Sequence, residues 1–313
     1  NVVPTNGANI YAKLECFNPG GSVKDRIAKA MVEDAEHRGI LKPGSTIIEA
    51  TSGNTGISLA MMGAERGYDI KIIMPCDMSE ERKKLLRMFG AELIEVGKGD
   101  FEGAINLKDK LVKEKGYFPL NQFTSELNIE CHHKTTFKEL LSHSLKIGKS
   151  ISAFISGTGT GGTLMGIERG FSEYGARAKI IAVEPAESPV MSGGKKGLHG
   201  IQGIGDGSKF LVDLDKVDEI ITISTEDAKN RSIRLCKENG LLVGISAGAN
   251  ILASEIWIEK NKPHNGVFRA YWTEDGVGVS LEDTGYGLRY EWYYRDGKQD
   301  GESKGWWPDG QLK

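Results

Sequence analysis

The most informative segment of the chain is Asn18-Pro-Gly-Gly-Ser-Val-Lys-Asp-Arg26, a glycine-rich turn that runs into a predicted helix. Ser22 and Asp25 have the spacing of a capping box, which predicts that the helix begins at Ser22 and carries Lys24 in its first turn. The helix dipole disfavours a cation at that end, so we expect a lowered pKa for the Lys24 amine. A neutral amine is what Schiff-base formation with an aldehyde cofactor requires.

Around this segment, short apolar runs alternate with amphipathic stretches from about residue 9 to residue 260. The predicted strands are residues 10–14, 46–48, 70–74, 92–96, 153–155, 179–183 and 219–223. The predicted helices are residues 23–38, 55–66, 80–89, 101–115, 134–147, 163–174 and 225–239. This alternation predicts an α/β fold with mostly parallel sheet covered by helices. Loops at the carboxyl ends of such strands bind ligands.

Two loops rich in glycine, serine and threonine follow predicted strands and open predicted helices. Residues 51–56 present amides and three hydroxyls that suit a carboxylate, and Asn54 is placed to hydrogen-bond a phenolic oxygen of a cofactor. Residues 157–163 suit a phosphate monoester dianion. The second loop lacks the Lys-Ser/Thr ending of a Walker motif and has no acidic residue placed for a dinucleotide ribose, so a nucleotide is disfavoured.

Residues 241–250 predict a buried strand that runs into Ser246 at a turn of small residues before a helix. Ser246 is either the N-cap of that helix or a partner for a pyridine nitrogen. A neutral hydroxyl at that nitrogen would not keep the ring protonated. The ring would then be a weaker electron sink, which favours elimination and replacement at Cβ over transamination.

Composition excludes several classes of protein. The 313 residues carry a net charge of −3 without a concentrated basic run, which argues against a nucleic-acid partner. No apolar stretch approaches the roughly 20 residues that span a bilayer, and the first 18 residues lack the pattern of a signal peptide. Four scattered cysteines predict reduced thiols. We therefore expect a cytoplasmic protein, and we expect no metal site at the adjacent His132 and His133.

The composition changes near residue 261. All five tryptophans lie at or beyond Trp257, and Asp-Gly pairs recur at 275–276, 296–297, 300–301 and 309–310. Aromatic segments between Asp-Gly turns are typical of β-hairpins. We therefore expect one domain over residues 1–260, which the resemblance described next implies is catalytic, and a short hairpin-rich appendage over residues 261–313.

Residues 9 to about 255, with these ordered motifs, resemble the pyridoxal-phosphate family of cysteine synthases (O-acetylserine sulfhydrylases), relatives of cystathionine β-synthase. The resemblance implies PLP fold type II, with two subdomains of twisted, mostly parallel sheet and helices on both faces. The smaller, mobile subdomain would cover about residues 70–118. Its closure would exclude water from the reaction. Family members are usually homodimers, and the same is expected here.

The resemblance also assigns the site. Lys24 would bond the pyridoxal 5′-phosphate covalently and later move the Cα proton, Asn54 would bond O3′, and Ser246 would meet the pyridine nitrogen. The phosphate would lie on Gly159, Thr160, Gly161, Gly162 and Thr163. The substrate carboxylate would be held by Thr51, Ser52, Asn54, Thr55 and Gln122.

Residues 199–205 resemble the sulfhydrylase form of an active-site loop. This implies β-replacement, in which O-acetyl-L-serine loses acetate and sulfide adds to an α-aminoacrylate intermediate to form L-cysteine. The alternatives are a cystathionine β-synthase-like enzyme, a serine β-lyase, and a non-catalytic interaction protein with this fold. Product analysis with serine plus homocysteine separates the first of these from the sulfhydrylase.

Three features depart from the family pattern. The chain begins after the strand that carries Gly-Asn-Thr-Pro-Leu in the family, so we expect that an opening strand is missing. Phe137 stands where the family usually has glycine, and we expect it to crowd a helix start. Nothing after residue 261 matches the family's final strand. The tail instead resembles MORN-like or toxin–antitoxin-associated β repeats. It would be a partner-binding appendage, a truncated repeat array or the product of a gene rearrangement.

Overall fold

The structure is a computed structural model that describes residues 3–5, 8–51, 53–176 and 178–261. It also describes the backbone of four tail strands between residues 265 and 306. The helices are α1 (Lys24–His37), α2 (Asn54–Arg66), α3 (Glu80–Met88), α4 (Phe101–Lys115), α5 (Glu126–His132), α6 (Lys138–Lys146), α7 (Gly162–Tyr174), α8 (Thr225–Asn239) and α9 (Ile245–Lys260). A π-helical turn, His133–Phe137, connects α5 to α6.

The strands before residue 261 are β1 (Val3–Thr5), β2 (Ala8–Ile10), β3 (Thr46–Ala50), β4 (Asp69–Pro75), β5 (Glu92–Val96), β6 (Phe118–Pro119), β7 (Ala153–Gly157), β8 (Lys179–Pro185) and β9 (Glu219–Ile223). They form two parallel sheets, with the orders β5-β4-β3-β6 and β7-β8-β9, and a small antiparallel pair, β1-β2. The expected α/β architecture is therefore confirmed.

Both parallel sheets are covered by helices on two faces, because successive side chains of a strand point to opposite sides. In β3, Ile47 joins the core formed with α1 and α2, whereas Ile48 joins the core under α4. In β8, Ile180 packs towards α7 and Ile181 towards α8 and α9. All four isoleucines are at most 5% exposed. This layering sets the carboxyl ends of the strands against the starts of the helices.

Two predicted strands are wrong. The strand expected at residues 10–14 is displaced, since β2 ends at Ile10. Residues 241–244 are irregular, and Leu242 is 86% exposed. They pair with no strand among the described residues, and an apolar run without a pairing partner does not form a sheet. Sequence periodicity also missed β6 and α5, which are too short to show a period.

Phe137 is accommodated, so the expectation that it crowds a helix start is also wrong. Its ring is 5% exposed and packs edge-to-face on Phe171, with the ring centroids 5.2 Å apart. Gly170 of α7 leaves the space, because a β carbon there would lie 2.2 Å from Phe137 Cγ. The phenylalanine at residue 137 thus depends on a glycine in the facing helix.

The described part of the tail forms an antiparallel sheet. Strand β10 (Asn265–Tyr271) pairs with β11 (Arg289–Arg295), which also pairs with β12 (Lys298–Gln299) and β13 (Lys304–Trp306). The four predicted Asp-Gly turns lie outside the described residues. No helix in the described ranges is long and apolar enough to cross a bilayer.

Candidate active site

Helices that follow the carboxyl ends of sheet strands build the candidate site. β3 leads through residues 51–53 into α2, and β7 leads through residues 158–161 into α7. The start of α1 is tied to α2, where the Ser58 hydroxyl donates to Asp25 Oδ1 at 2.5 Å. The start of α9 is tied to β7, where the Gly157 amide donates to Asn250 Oδ1 at 2.7 Å. Each helix start offers amides without an intrahelical acceptor.

Lys24 is the first residue of α1 and is half-buried. Burial lowers the pKa of its amine, and the carboxylate of Asp206 opposes that effect. The predicted direction is confirmed, but burial is the cause that the structure supplies. A lowered pKa increases the neutral, nucleophilic fraction of the amine.

The predicted capping box is wrong. The helix begins at Lys24, whose amide donates to Ser22 Oγ at 3.2 Å, and the Asp25 carboxylate does not return to Ser22. Asp25 Oδ2 instead accepts the Gly20 amide at 2.6 Å. A β carbon at Gly20 would lie 2.4 Å from Asp25 Oδ1, so only glycine fits there. Asp25 thereby holds the glycine-rich turn in front of Lys24.

The first loop brings three predicted substrate residues together. The Thr51 hydroxyl accepts the Gly53 amide at 3.3 Å, and Asn54 is exposed at the first position of α2. The Thr55 hydroxyl donates to Gln122 Oε1 at 2.7 Å, and both side chains are buried. With its oxygen engaged, Gln122 offers its amide nitrogen as a donor. Ser52, the remaining predicted member, lies outside the described residues.

The second loop forms a cradle of free donors. The amides of Gly159, Thr160, Gly161 and Thr163 donate to no other residue in the part of the chain that the structure describes. Gly161 has a φ of +89°, which favours glycine. Amides in front of a helix N-terminus are the ligands that a phosphate dianion requires.

Asn128 connects the second loop to Gln122, which bonds Thr55 of the first loop, although the sequence did not single it out. Its Nδ2 donates to the Gln122 carbonyl and to Thr160 Oγ1, both at 3.0 Å. A β carbon at Gly162 would lie 1.8 Å from Asn128 Oδ1. The side chain therefore fills the space beside the start of α7, and glycine at residue 162 is required for that contact.

His132 is a second partner of the cradle that sequence reasoning missed. Its Nε2 lies 3.2 Å from Thr163 Oγ1 and its Nδ1 lies 2.8 Å from Thr136 Oγ1. Burial, and then the charge of Lys24, lowers the pKa of His132 to about 3, so the ring is neutral. Its neighbour His133 pairs instead with Glu173 at 3.0 Å. Among the described residues, no three His, Cys, Asp or Glu side chains could hold a metal ion.

Ser246 is the second residue of α9 and is half-buried. Gly244 occupies the N-cap position, so Ser246 is not the helix cap. The link from Asn250 to Gly157 places this helix start beside the strand that leads into the cradle. The geometry thus leaves the Ser246 hydroxyl available for a role at the site.

Asp206 is an acidic group at the site that the sequence did not single out. Its Oδ2 would lie 3.6 Å from a β carbon at Gly159, so the carboxylate adjoins the cradle. Loss of hydration raises the pKa of Asp206, against the attraction of Lys24, His199 and Lys196. The signal in the sequence was an aspartate between Gly205 and Gly207 in a glycine-rich loop.

Comparisons with known proteins identify the family of the chain. The family described as "Pyridoxal-phosphate dependent enzyme" matches residues 1–267. A cysteine synthase of Staphylococcus aureus (strain Mu50) is 47% identical over 258 residues, which cover 81% of this chain and 82% of the relative. The MORN-like resemblance of the tail finds no support in these matches.

Solved structures give the same result. A cysteine synthase of Entamoeba histolytica superposes with a TM-score of 0.73 and 44% identity, covering 77% of this chain and 71% of that one. A hydrogen sulfide-producing enzyme of Fusobacterium nucleatum has a TM-score of 0.78 and 41% identity, covering 83% and 88%. The chain therefore belongs to the pyridoxal-phosphate dependent enzymes, and pyridoxal phosphate is its cofactor.

Proposed function

We propose that the chain is a cysteine synthase that forms L-cysteine from O-acetyl-L-serine and sulfide. The observation that carries this proposal is that Lys24, with its lowered pKa, interacts with Asp206, whose carboxylate adjoins the free amides of the second loop. The names of the relatives at 44–47% identity support the choice of reaction.

The residues present fit the cofactor. Free amides in front of α7 would hold its phosphate, the Lys24 amine would bond its aldehyde carbon, and Asn54 and Ser246 would bond O3′ and the pyridine nitrogen. When bound, pyridoxal phosphate supplies an electron sink for negative charge that develops at Cα. A serine hydroxyl at the ring nitrogen, in place of a carboxylate, favours replacement at Cβ.

The other residues bind and orient the amino acid. Thr51, Ser52, Asn54, Thr55 and Gln122 would hold its carboxylate with hydroxyl and amide donors at the start of α2. The Lys24 amine, once released, would take the Cα proton, since a neutral amine accepts a proton where an ammonium cannot.

Closure of the subdomain around residues 70–118 would exclude water during the reaction. The support for this proposal is a contact between α3 and a loop outside the subdomain, where Arg82 Nη2 donates to Gln202 Oε1 at 2.6 Å. Gln202 lies in the active-site loop of residues 199–205. A contact of this kind would hold the closed state and keep a reactive intermediate from hydrolysis.

The reaction is tested with the purified holoenzyme and O-acetyl-L-serine plus sulfide, with cysteine measured by chromatography. We expect cysteine to form at least tenfold faster than cystathionine from serine plus homocysteine, at about equal substrate concentrations. Faster formation of cystathionine, or no cysteine at all, would contradict the proposal.

A second candidate is a lyase that releases sulfide from cysteine. It is favoured by the likeness to the hydrogen sulfide-producing enzyme of F. nucleatum. Incubation with L-cysteine alone separates the two, because only a sulfide-releasing enzyme turns it over at a rate comparable with the synthesis.

We further propose a cytoplasmic homodimer, as is usual in the family, and light scattering of the purified chain tests the dimer. A protein partner for the tail stays a proposal, which deletion of residues 262–313 would test.

Replacing Asp206 by asparagine should change the pH dependence of cofactor uptake. The Asp206 carboxylate raises the pKa of Lys24 by stabilising its ammonium form, so its removal lowers that pKa further. The rate at which the apoprotein takes up pyridoxal phosphate should then rise at a lower pH than in the parent chain. The exposed Asp215→Asn is the control, and an unchanged or upward-shifted profile in D206N would contradict the assignment.

A further inference from the structure

The turn that carries Gln122 is held by a network of buried ionisable side chains. None of them is among the residues proposed to contact the cofactor or the substrate. Glu49 is the fourth residue of β3 and is 2% exposed. Its Oε2 accepts the amide of Asn121 at 2.8 Å. Lys108 of α4 is 7% exposed, and its Nζ donates to Asn121 Oδ1 at 2.8 Å. A buried carboxyl group, whose pKa burial raises to about 7, and a buried lysine thus converge on one asparagine.

Asn121 has an unusual backbone that this network stabilises. Its φ is +55°, a left-handed conformation that asparagine tolerates better than most residues. Its carbonyl accepts the amides of Thr124 and Ser125 at 3.1 and 3.0 Å. The amide, the carbonyl and the side-chain oxygen of Asn121 therefore all form hydrogen bonds. These bonds fix the position of the backbone from which Gln122 continues.

Gln122 depends on this turn for its position. It is 3% exposed, its Oε1 accepts the Thr55 hydroxyl, and its carbonyl accepts Asn128 Nδ2. Burial of charge is costly unless the charges are paired and hydrogen-bonded. The free-energy cost of burying Glu49 and Lys108 therefore arises directly beside a residue proposed to bind substrate.

We infer that Glu49 and Lys108 are positioning residues that hold the Gln122 carboxamide towards the α-carboxylate of the amino-acid substrate. The inference rests on the role proposed for Gln122. It adds that α4, within the subdomain proposed to move, is coupled to the carboxylate-binding residues through the hydrogen bond from Lys108 to Asn121. Neither Glu49 nor Lys108 contacts the substrate.

Binding of two ligands to the holoenzyme, measured by calorimetry, tests the inference. L-serine carries the α-carboxylate, and L-serinamide has a neutral carboxamide in its place. Lys108→Met keeps the aliphatic stem and loses the donor. We expect it to weaken L-serine about tenfold and L-serinamide less than about twofold, the size of one hydrogen bond to a charged group. Lys110→Met, at an exposed lysine of the same helix, is the matched control and should change neither.

Glu49→Gln and Glu49→Ala extend the test. Glutamine keeps an acceptor for the Asn121 amide and should restore most of the L-serine affinity that alanine loses. Thermal melts identify variants that fail to fold, and Lys108→Met then remains decisive. Equal weakening of both ligands, or unchanged binding of L-serine in folded Lys108→Met, would overturn the inference. A selective loss supports it even if the parent chain forms no cysteine, which would refute only the proposed reaction.

Discussion

Lys24→Ala is expected to abolish turnover while the protein stays folded. The variant removes both the amine that bonds the cofactor and the base that takes the Cα proton, so the rate of cysteine formation should fall by roughly 10³-fold or more. The absorbance of the covalently bound cofactor should disappear. Asp206 is the charged group that raises the pKa of Lys24. Removal of the amine therefore leaves the Asp206 carboxylate without that countercharge.

The measurements are the absorbance spectrum after incubation with pyridoxal phosphate and the rate with O-acetyl-L-serine plus sulfide. Lys29→Ala is a matched control, because its side chain lies on the same helix and is 65% exposed. It should keep the spectrum and the rate. A Lys24→Ala protein that retained a tenth of the parent rate would refute the assignment of this lysine.

Gly162→Ala is expected to cost most of the affinity for the cofactor. A β carbon there would lie 1.8 Å from Asn128 Oδ1 and 2.3 Å from its Cγ, so the side chain or the start of α7 must move. Asn128 is held by Gln122 and Thr160, so the shift disturbs the second loop and the turn that carries Gln122. Loss of two hydrogen bonds to the charged phosphate, at about 1.5 kcal/mol each, costs about 10²-fold in affinity, and we expect a loss of at least that order.

Titration of the apoprotein with pyridoxal phosphate, followed by fluorescence, measures this loss. Gly97→Ala is the control, because a β carbon there meets Asp100 only at ordinary contact distances of 3.6 and 3.9 Å. Thermal unfolding without cofactor reports any general damage. Affinity equal to that of the parent chain in Gly162→Ala would show that the close approach to Asn128 is not required for the cradle.

Local patterns in the sequence were sufficient to predict most of the elements. The runs at 46–48, 92–96 and 219–223 became β3, β5 and β9, because short strands rich in isoleucine, leucine and valine between turns are recognisable from composition. The helices over 101–115 and 225–239 have the predicted bounds. Their polar faces and capping residues are encoded within one segment of chain.

Residues that act through distant partners were not predictable in this way. Asn128, His132 and Asp206 look like ordinary polar residues in sequence, and only the fold brings them to the two loops. The capping box at Ser22 failed for the same reason: Asp25 found better partners in Gly20 and in Ser58, which lies 33 residues away. The strand expected at 241–245 failed because strand formation depends on a neighbour.

The amino-acid sequence alone was enough to predict the alternation of strands and helices, the glycine-rich loops and the lysine at a helix start. These follow from periodicity, from the conformational freedom of glycine and from short-range spacing. The partners of those groups depend on the packed fold. It supplies the burial that lowers the pKa of Lys24, the link from Asn128 to Thr160, and the contacts of Glu49 and Lys108 with Asn121. Burial and long-range hydrogen bonds depend on which segments pack together, and no local pattern records that packing.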